Sequence, residues 1–245
     1  MTAPATSTTN PCIGIVAPYD FALDRELWRW VPDTLDLLLT RTPYEPLTVT
    51  VEMAQRVGDP AVVAEATLAL TTPAPAVVGY ACTSGSFVAG LAGERALVDA
   101  MLATGVPAAV TTSGAVVAAL QALGVGRVAV ATPYDEAITR LLAAFLEEAG
   151  IAVAATTHLG LDSAIWSVPR EVTLDLVRRA WTEDCDAVFV SCTNLATYDL
   201  IGPLEAELGV PVVSANQATM WAAVSLAGLA AQGEGQRLLQ EVVPA

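Results

Sequence analysis

IGIVAPYD at residues 13–20 and VAVATPYD at residues 128–135 are the stretches on which the reading of the fold turns. Each is an apolar run of strand character ending on Pro-Tyr-Asp, and the second follows the first at an offset of 115 (13 to 128). Two more pairs recur in the same order. AVVGYACTSG (76–85) parallels AVFVSCTNLA (187–196), each ending in Cys-Thr, with Cys82 and Cys192 offset by 110. GVPAAVTTSGAV (105–116) parallels GVPVVSANQATM (209–220) at an offset of 104 (105 to 209). Ordered matches with slowly drifting offsets imply a duplicated chain with small deletions in the second copy.

Between the repeats, apolar β-rich runs alternate with Ala/Leu-rich segments of helical period. Strands are expected near 12–17, 76–82, 108–112, 127–132, 151–156, 187–192 and 210–214. Helices are expected near 59–71, 86–104, 114–124, 135–149, 169–182, 197–208 and 216–231. Residues 35–52 read as a strand followed by a long loop. Alternating strands and helices imply parallel sheets covered on both faces. The expected fold class is therefore α/β: two similar lobes from internal duplication, each a parallel sheet flanked by helices, related by a pseudo-two-fold axis with the site between them. The expected division is an N-terminal lobe over 1–113 and a C-terminal lobe over 114–215. The segment 216–245 is expected to form a helix packing back on the first lobe.

Composition excludes several kinds of chemistry. Of 245 residues, 54% are hydrophobic, yet no run reaches the roughly 20 apolar residues of a membrane span. The net charge of −15 repels phosphate backbones and anionic lipids, so neither nucleic-acid nor membrane partners are expected. All 11 basic residues are Arg. A chain without Lys has no pyridoxal-phosphate or other Schiff-base chemistry and no Lys-bearing phosphate loop. A single His, His158, leaves no His-based metal site. No cofactor and no metal are expected. The polar MTAPATSTTN (1–10) reads as a disordered tail and not a secretion signal, which points to the cytoplasm and reduced thiols. Of the four cysteines, Cys12 and Cys185 read as small buried hydrophobes.

Cys82 and Cys192 read differently. In open α/β sheets ligands bind beyond the carboxyl ends of the strands, where both Pro-Tyr-Asp turns and both Cys-Thr turns fall. A pseudo-two-fold axis brings these turns around one cleft, with the two thiols facing each other across a substrate. Each Cys is also expected to precede a helix start, with Thr83-Ser84-Gly85 and Thr193-Asn194 as cap-type residues. Their N–H groups would hold a carboxylate or an enolate-like transition state, and the helix N-termini would lower the thiol pKa values.

On ACTSG around Cys82, SCTN around Cys192 and the Tyr134 turn, the chain resembles the aspartate/glutamate racemase superfamily. Within it, the likeness is to the branch of maleate cis-trans isomerases, arylmalonate decarboxylases and ectoine-utilisation proteins. The resemblance spans nearly the whole chain, from IGIVAPYD to ANQATMWAAV. It implies that Cys82 and Cys192 are opposed catalytic thiols and that Thr83, Ser84, Thr193 and Asn194 hold a substrate carboxylate. Tyr134 would hydrogen-bond a carboxylate or the developing enolate, and Pro18, Tyr19 and Asp20 would close the other side of the pocket. Maleate isomerases look to have Ser and Asn in that turn, so Asp20 argues against a plain maleate-type dicarboxylate. Arylmalonate decarboxylases keep only the second Cys, with Gly at the first position, so two cysteines argue for isomerisation or racemisation.

The expected function is thus a cofactor-independent two-cysteine isomerase of a small carboxylate, as a homo-oligomer. The alternatives are an arylmalonate-type decarboxylase using Cys192, and a small-ligand binding protein without catalysis. Among lesser signals, Asp135 is expected to cap a helix. Arg25 and Arg29 are expected in surface pairs with Asp24 or Glu26, and His158 and Trp166 sit on a loop facing the cleft. Asn216 and Gln217 echo Thr112 and Ser113, and either cap the last long helix or line the cleft.

Overall fold

The computed structural model describes residues 10–241, so the expected tail lies, but for Asn10, outside the described residues. The first half carries strands β1 (Cys12–Ala17), β2 (Asp36–Arg41), β3 (Val77–Tyr80) and β4 (Ala109–Thr111). Its helices are α1 (Asp24–Trp28), α2 (Val51–Val57), α3 (Pro60–Leu68), α4 (Thr83–Phe87), α5 (Gly90–Leu102) and α6 (Thr112–Ala122). The second half carries β5 (Arg127–Thr132), β6 (Ala152–His158), β7 (Ala187–Val190) and β8 (Val212–Ser214). Helices α7 (Glu136–Glu148), α8 (Arg170–Ala180), α9 (Tyr198–Leu208), α10 (Ala215–Leu226) and α11 (Arg237–Glu241) complete it.

All strand pairings are parallel, and the sheet orders are β2-β1-β3-β4 and β6-β5-β7-β8. One order maps onto the other strand for strand, so the duplicated α/β architecture is present as read. The central strands are apolar because both faces are covered. Ile13, Ile15, Val16 and Ala17 in β1 and Val128 to Ala131 in β5 are wholly buried. Each such Val or Ile contributes about 1.5–3 kcal/mol of transfer free energy. The helices that follow the last strand of each half, α6 and α10, pack on each other, as equivalents about a pseudo-two-fold axis should. A hydroxyl pair, Thr112 with Thr219 at 2.8 Å, joins them inside the core.

Three helix readings needed correction. The helix expected over 216–245 ends at Leu226, and helix resumes only at α11 (Arg237–Glu241). The continuous helix expected over 86–104 is broken between α4 and α5, where Gly90 takes φ +67°, a backbone that suits glycine. The long loop expected at the end of 35–52 gives way to α2 from Val51. The Thr50 side chain accepts from the Met53 N–H at 3.2 Å as N-cap, and the helix ends at Gly58.

Candidate active site

In each sheet the crevice lies where the chain leaves the two central strands on opposite sides, β1 and β3 in one half and β5 and β7 in the other. From β1 come Pro18 and Asp20, from β3 come Cys82, Thr83 and Ser84, from β5 Tyr134, and from β7 Cys192, Thr193 and Asn194. These nine line one cavity, open to solvent. Its remaining wall is apolar: Val49 before α2, Met53 on α2, and Ile165 on a short 3-10 turn after β6. A backbone bond from Val49 N–H to the Asp162 carbonyl (2.7 Å) joins these wall segments across the two halves.

The two thiols are held differently. Cys82 has extended backbone (φ −140°) as the N-cap of α4, and Ser86 on that helix donates to its carbonyl at 2.7 Å. Ser84 Oγ stands 4.0 Å from the sulfur. A Cβ at Gly85 would collide with the Tyr80 hydroxyl and stand 3.1 Å from the Cys82 sulfur, so glycine is what lets the backbone approach the thiol. Cys192 adopts φ +89°, a strained conformation for a residue with a side chain. The Asn194 N–H lies 3.4 Å from its sulfur. No helix starts there: five residues of turn separate Cys192 from α9, whose N-cap is Thr197.

The strained turn is buttressed from the other half. Glu26 on α1 accepts from the Thr197 N–H and hydroxyl, both at 2.9 Å, and from the Tyr198 N–H at 3.2 Å. Asn194 accepts from the Ala22 N–H at 2.9 Å and donates to the Asp20 carbonyl at 3.2 Å. Asn216 lies under the turn and donates to the Thr193 carbonyl at 2.9 Å. Most of the Asn194 side chain is thereby spent on tying the halves together.

The electrostatics reverse one expectation. Burial pushes the Cys82 thiol up to about 11, partly offset by the Tyr80 hydroxyl and the Gly85 N–H, with the Asp20 charge adding to the rise. Burial pushes Cys192 up to about 12, partly offset by the Asn194 N–H and the Tyr134 hydroxyl, with Asp20 and Cys82 again adding. Desolvation therefore outweighs the turn dipoles, and both thiols are neutral at rest near pH 7. The phenol of Tyr134, raised well above its usual value by burial, remains a neutral donor. Asp20 is also raised by burial. Thr83 Oγ1 is buried with no hydrogen-bond partner, although it lies on the cavity wall.

Tyr19, expected in the pocket wall, turns away. Its hydroxyl donates to the Leu47 carbonyl at 2.9 Å, its ring meets Tyr44 edge-on, and it borders an outer groove shared with Trp166. Asp135 caps α7 through the Ile138 N–H at 2.9 Å. His158 and Arg25 lie outside the cavity lining, and Arg29 pairs with Asp199 at 2.6 Å instead of Asp24 or Glu26. Val49, Met53, Ile165, Tyr80 and Glu26 were missed as site residues. Tyr80 lies within the 76–85 repeat, two residues before Cys82, but the neighbourhoods of the other four carry no repeat signal, and only tertiary packing brings those four to the thiols. Among the described residues no group of three His, Cys, Asp or Glu is arranged to hold a metal, and no helix is long and apolar enough to cross a membrane.

The family model described as arylmalonate decarboxylase matches residues 50–239. The chain is 44% identical to an arylmalonate decarboxylase of Bordetella bronchiseptica over 158 residues, which span 62% of this chain and 65% of that protein. The match to that relative thus covers just under two thirds of its length. A solved arylmalonate decarboxylase variant in its liganded form, with one glycine changed to cysteine and one cysteine to serine, superimposes with a TM-score of 0.87. Its sequence is 36% identical, with coverage of 95% of this chain and 100% of that one. A Nocardia farcinica maleate cis-trans isomerase variant with a covalently bound succinylcysteine intermediate superimposes with a TM-score of 0.84. That chain is 25% identical, with coverage of 95% and 99%.

Proposed function

Because the chain belongs to the arylmalonate decarboxylase family, we propose that it is a cofactor-independent isomerase of a small carboxylate in which Cys82 and Cys192 serve opposite faces of one reacting carbon. The observation that carries this reading is that one cavity is lined by both thiols, one from each half. The substrate carboxylate is held at the Thr83 hydroxyl, whose buried oxygen otherwise lacks a partner, with Ser84 and Thr193 beside it. The Tyr134 hydroxyl donates to the enediolate oxygen as charge develops there.

For inversion at Cα, Cys82 as thiolate removes the proton from one face, the C–H electron pair moves into the enediolate, and the Cys192 S–H returns a proton to the other. The reverse direction exchanges the roles of the two thiols. For cis-trans isomerisation the same layout lets a thiolate form a C–S bond to an alkene carbon, after which rotation and elimination restore the thiolate. The succinylcysteine in the Nocardia isomerase supports that variant. The four cysteines are free thiols, which suits the cytoplasm.

The similarity to the Bordetella decarboxylase favours a second reading. There, a C–C bond breaks, carbon dioxide leaves, and the neutral Cys192 thiol protonates the enediolate. Solvent-deuterium exchange at Cα and carbon dioxide release, measured separately on 2-phenylpropionate, maleate and phenylmalonate, test the two. Exchange or isomerisation without carbon dioxide supports the isomerase; carbon dioxide release alone replaces it with the decarboxylase.

A further inference from the structure

The charge layout of the cavity is one-sided. Asp20 is the one formally charged side chain on its lining, and no Arg lines it. Among the described residues every ion pair lies elsewhere. The side-chain contact of the Asp20 carboxylate is a long one, with Asn194 Nδ2 at 3.5 Å from Oδ2. A carboxylate offers about four acceptor sites, and the Asp20 carboxylate on this lining uses only part of them, on its own backbone N–H and on Asn194. The repeat sharpens this. Asp135 holds the equivalent position and caps α7, accepting from the Ile138 N–H at 2.9 Å. Asp20 has no helix to cap, because α1 begins four residues later, with Leu23 in the N-cap position. Thr83, also on the lining, has a buried hydroxyl without a hydrogen-bond partner. The cavity therefore offers both a donor and an unsatisfied acceptor.

We propose that Asp20 is the specificity-determining residue of this cavity, selecting a substrate that carries one carboxylate and, on the same carbon, a hydrogen-bond-donating or cationic group such as an ammonium or amide N–H, and rejecting dicarboxylates. The inference rests on the small-carboxylate reading above. A second carboxylate would enter a cavity without a cation, beside a carboxylate already there, and like charges in a poorly solvated site repel. An N–H donor instead satisfies oxygens that the protein leaves short of partners. Burial favours the protonated form of Asp20, and an ammonium would restore the charged form.

The test uses three ligands that differ only in one substituent on a phenyl-bearing carbon: 2-phenylglycine (ammonium), 2-phenylpropionate (methyl) and phenylmalonate (carboxylate). Calorimetric Kd values are measured for the intact protein and for Asp20→Asn, which preserves shape, with Asp20→Ser as a second variant should the first not fold. The intact protein is expected to bind 2-phenylglycine about tenfold tighter than 2-phenylpropionate, and phenylmalonate about tenfold weaker than 2-phenylpropionate. Asp20→Asn should bring all three within about threefold and tighten phenylmalonate about tenfold. Phenylmalonate bound as tightly as 2-phenylglycine by the intact protein, or an order unchanged in Asp20→Asn, overturns the Asp20 assignment and leaves the carboxylate reading standing. Failure of all three to bind the intact protein contradicts the carboxylate reading, and the inference falls with it.

Discussion

The two Pro-Tyr-Asp turns have the same three residues at equivalent strand ends and opposite orientations. After Asp135 helix α7 starts at once, so the carboxylate is consumed as its cap and Tyr134 is left facing the cavity beside Cys192. After Asp20 the chain makes a tight bend, Phe21 N–H to the Pro18 carbonyl at 3.0 Å, before α1 begins. Tyr19 is thereby turned out to the Leu47 carbonyl, while Asp20 borders both the thiol cavity and the outer groove. The thiols show the same divergence. Cys82 caps a helix in relaxed extended backbone, whereas Cys192 sits at φ +89° in a turn held by groups from the other half. A duplicated framework has thus been kept for the strands and abandoned at their ends, where chemistry needs two unlike groups.

The largest effects are expected at the thiols. Cys82→Ser and Cys192→Ser should each lower turnover about a thousandfold or more, since a hydroxyl is a far poorer base and nucleophile than a thiol. Cys82→Gly, if the reaction were decarboxylation from Cys192 alone, would instead leave carbon dioxide release largely intact.

Next comes pH. Isomerisation requires one thiolate, and with folded pKa values of about 11 and about 12 the thiolate fraction rises about tenfold per unit through neutrality. The rate of isomerisation should therefore climb with pH up to the lower of these values, whereas protonation by a neutral thiol should be flat over the same range. The same shifts carry a stability consequence. In the unfolded chain the thiols ionise near 9, so the stability gained by burying them neutral is fully present below about 9 and is lost as pH rises toward 11 and 12. Denaturant titrations at pH 8 and pH 10.5 should show that loss, and it should shrink in the double Ser variant.

Glu26→Ala should act on one half only. Removing the acceptor for two N–H groups and a hydroxyl is expected to cost about 2–3 kcal/mol of stability. It should also slow proton delivery from Cys192 more than exchange at Cys82, with Glu26→Gln recovering most of both. The smallest expected effect separates the two aspartates. Asp135→Ala should cost about 1 kcal/mol in denaturation, as loss of an N-cap, with kcat little changed. Asp20→Asn should leave stability nearly unchanged while modestly speeding iodoacetamide alkylation of both thiols, because the charge that adds to the larger effect of burial on their pKa values is gone.

The sheets were legible because each strand is a continuous apolar run and each repeat marks the strand end from which the site is built. Cys82, Cys192, Tyr134 and Asp20 could be brought to one cleft from that register alone. The apolar wall of Val49, Met53 and Ile165 could not, since these residues belong to loop, helix and 3-10 turn in different halves and share no periodic pattern. Thiol ionisation was misjudged for a related reason. A cap position is visible in sequence, but the completeness of burial that pushes both thiols up depends on what packs over them.

The most direct test of opposed thiols is deuterium incorporation from deuterated water into each separate enantiomer of 2-phenylglycine and 2-phenylpropionate, comparing the intact protein with Cys82→Ser and Cys192→Ser. The intact protein should exchange and invert both enantiomers of whichever compound it accepts. Each single variant should lose inversion while keeping residual exchange of one enantiomer, and the two variants should keep opposite ones. Inversion that survives either substitution, or residual exchange of the same enantiomer in both variants, would contradict a mechanism in which Cys82 and Cys192 face opposite sides of the substrate.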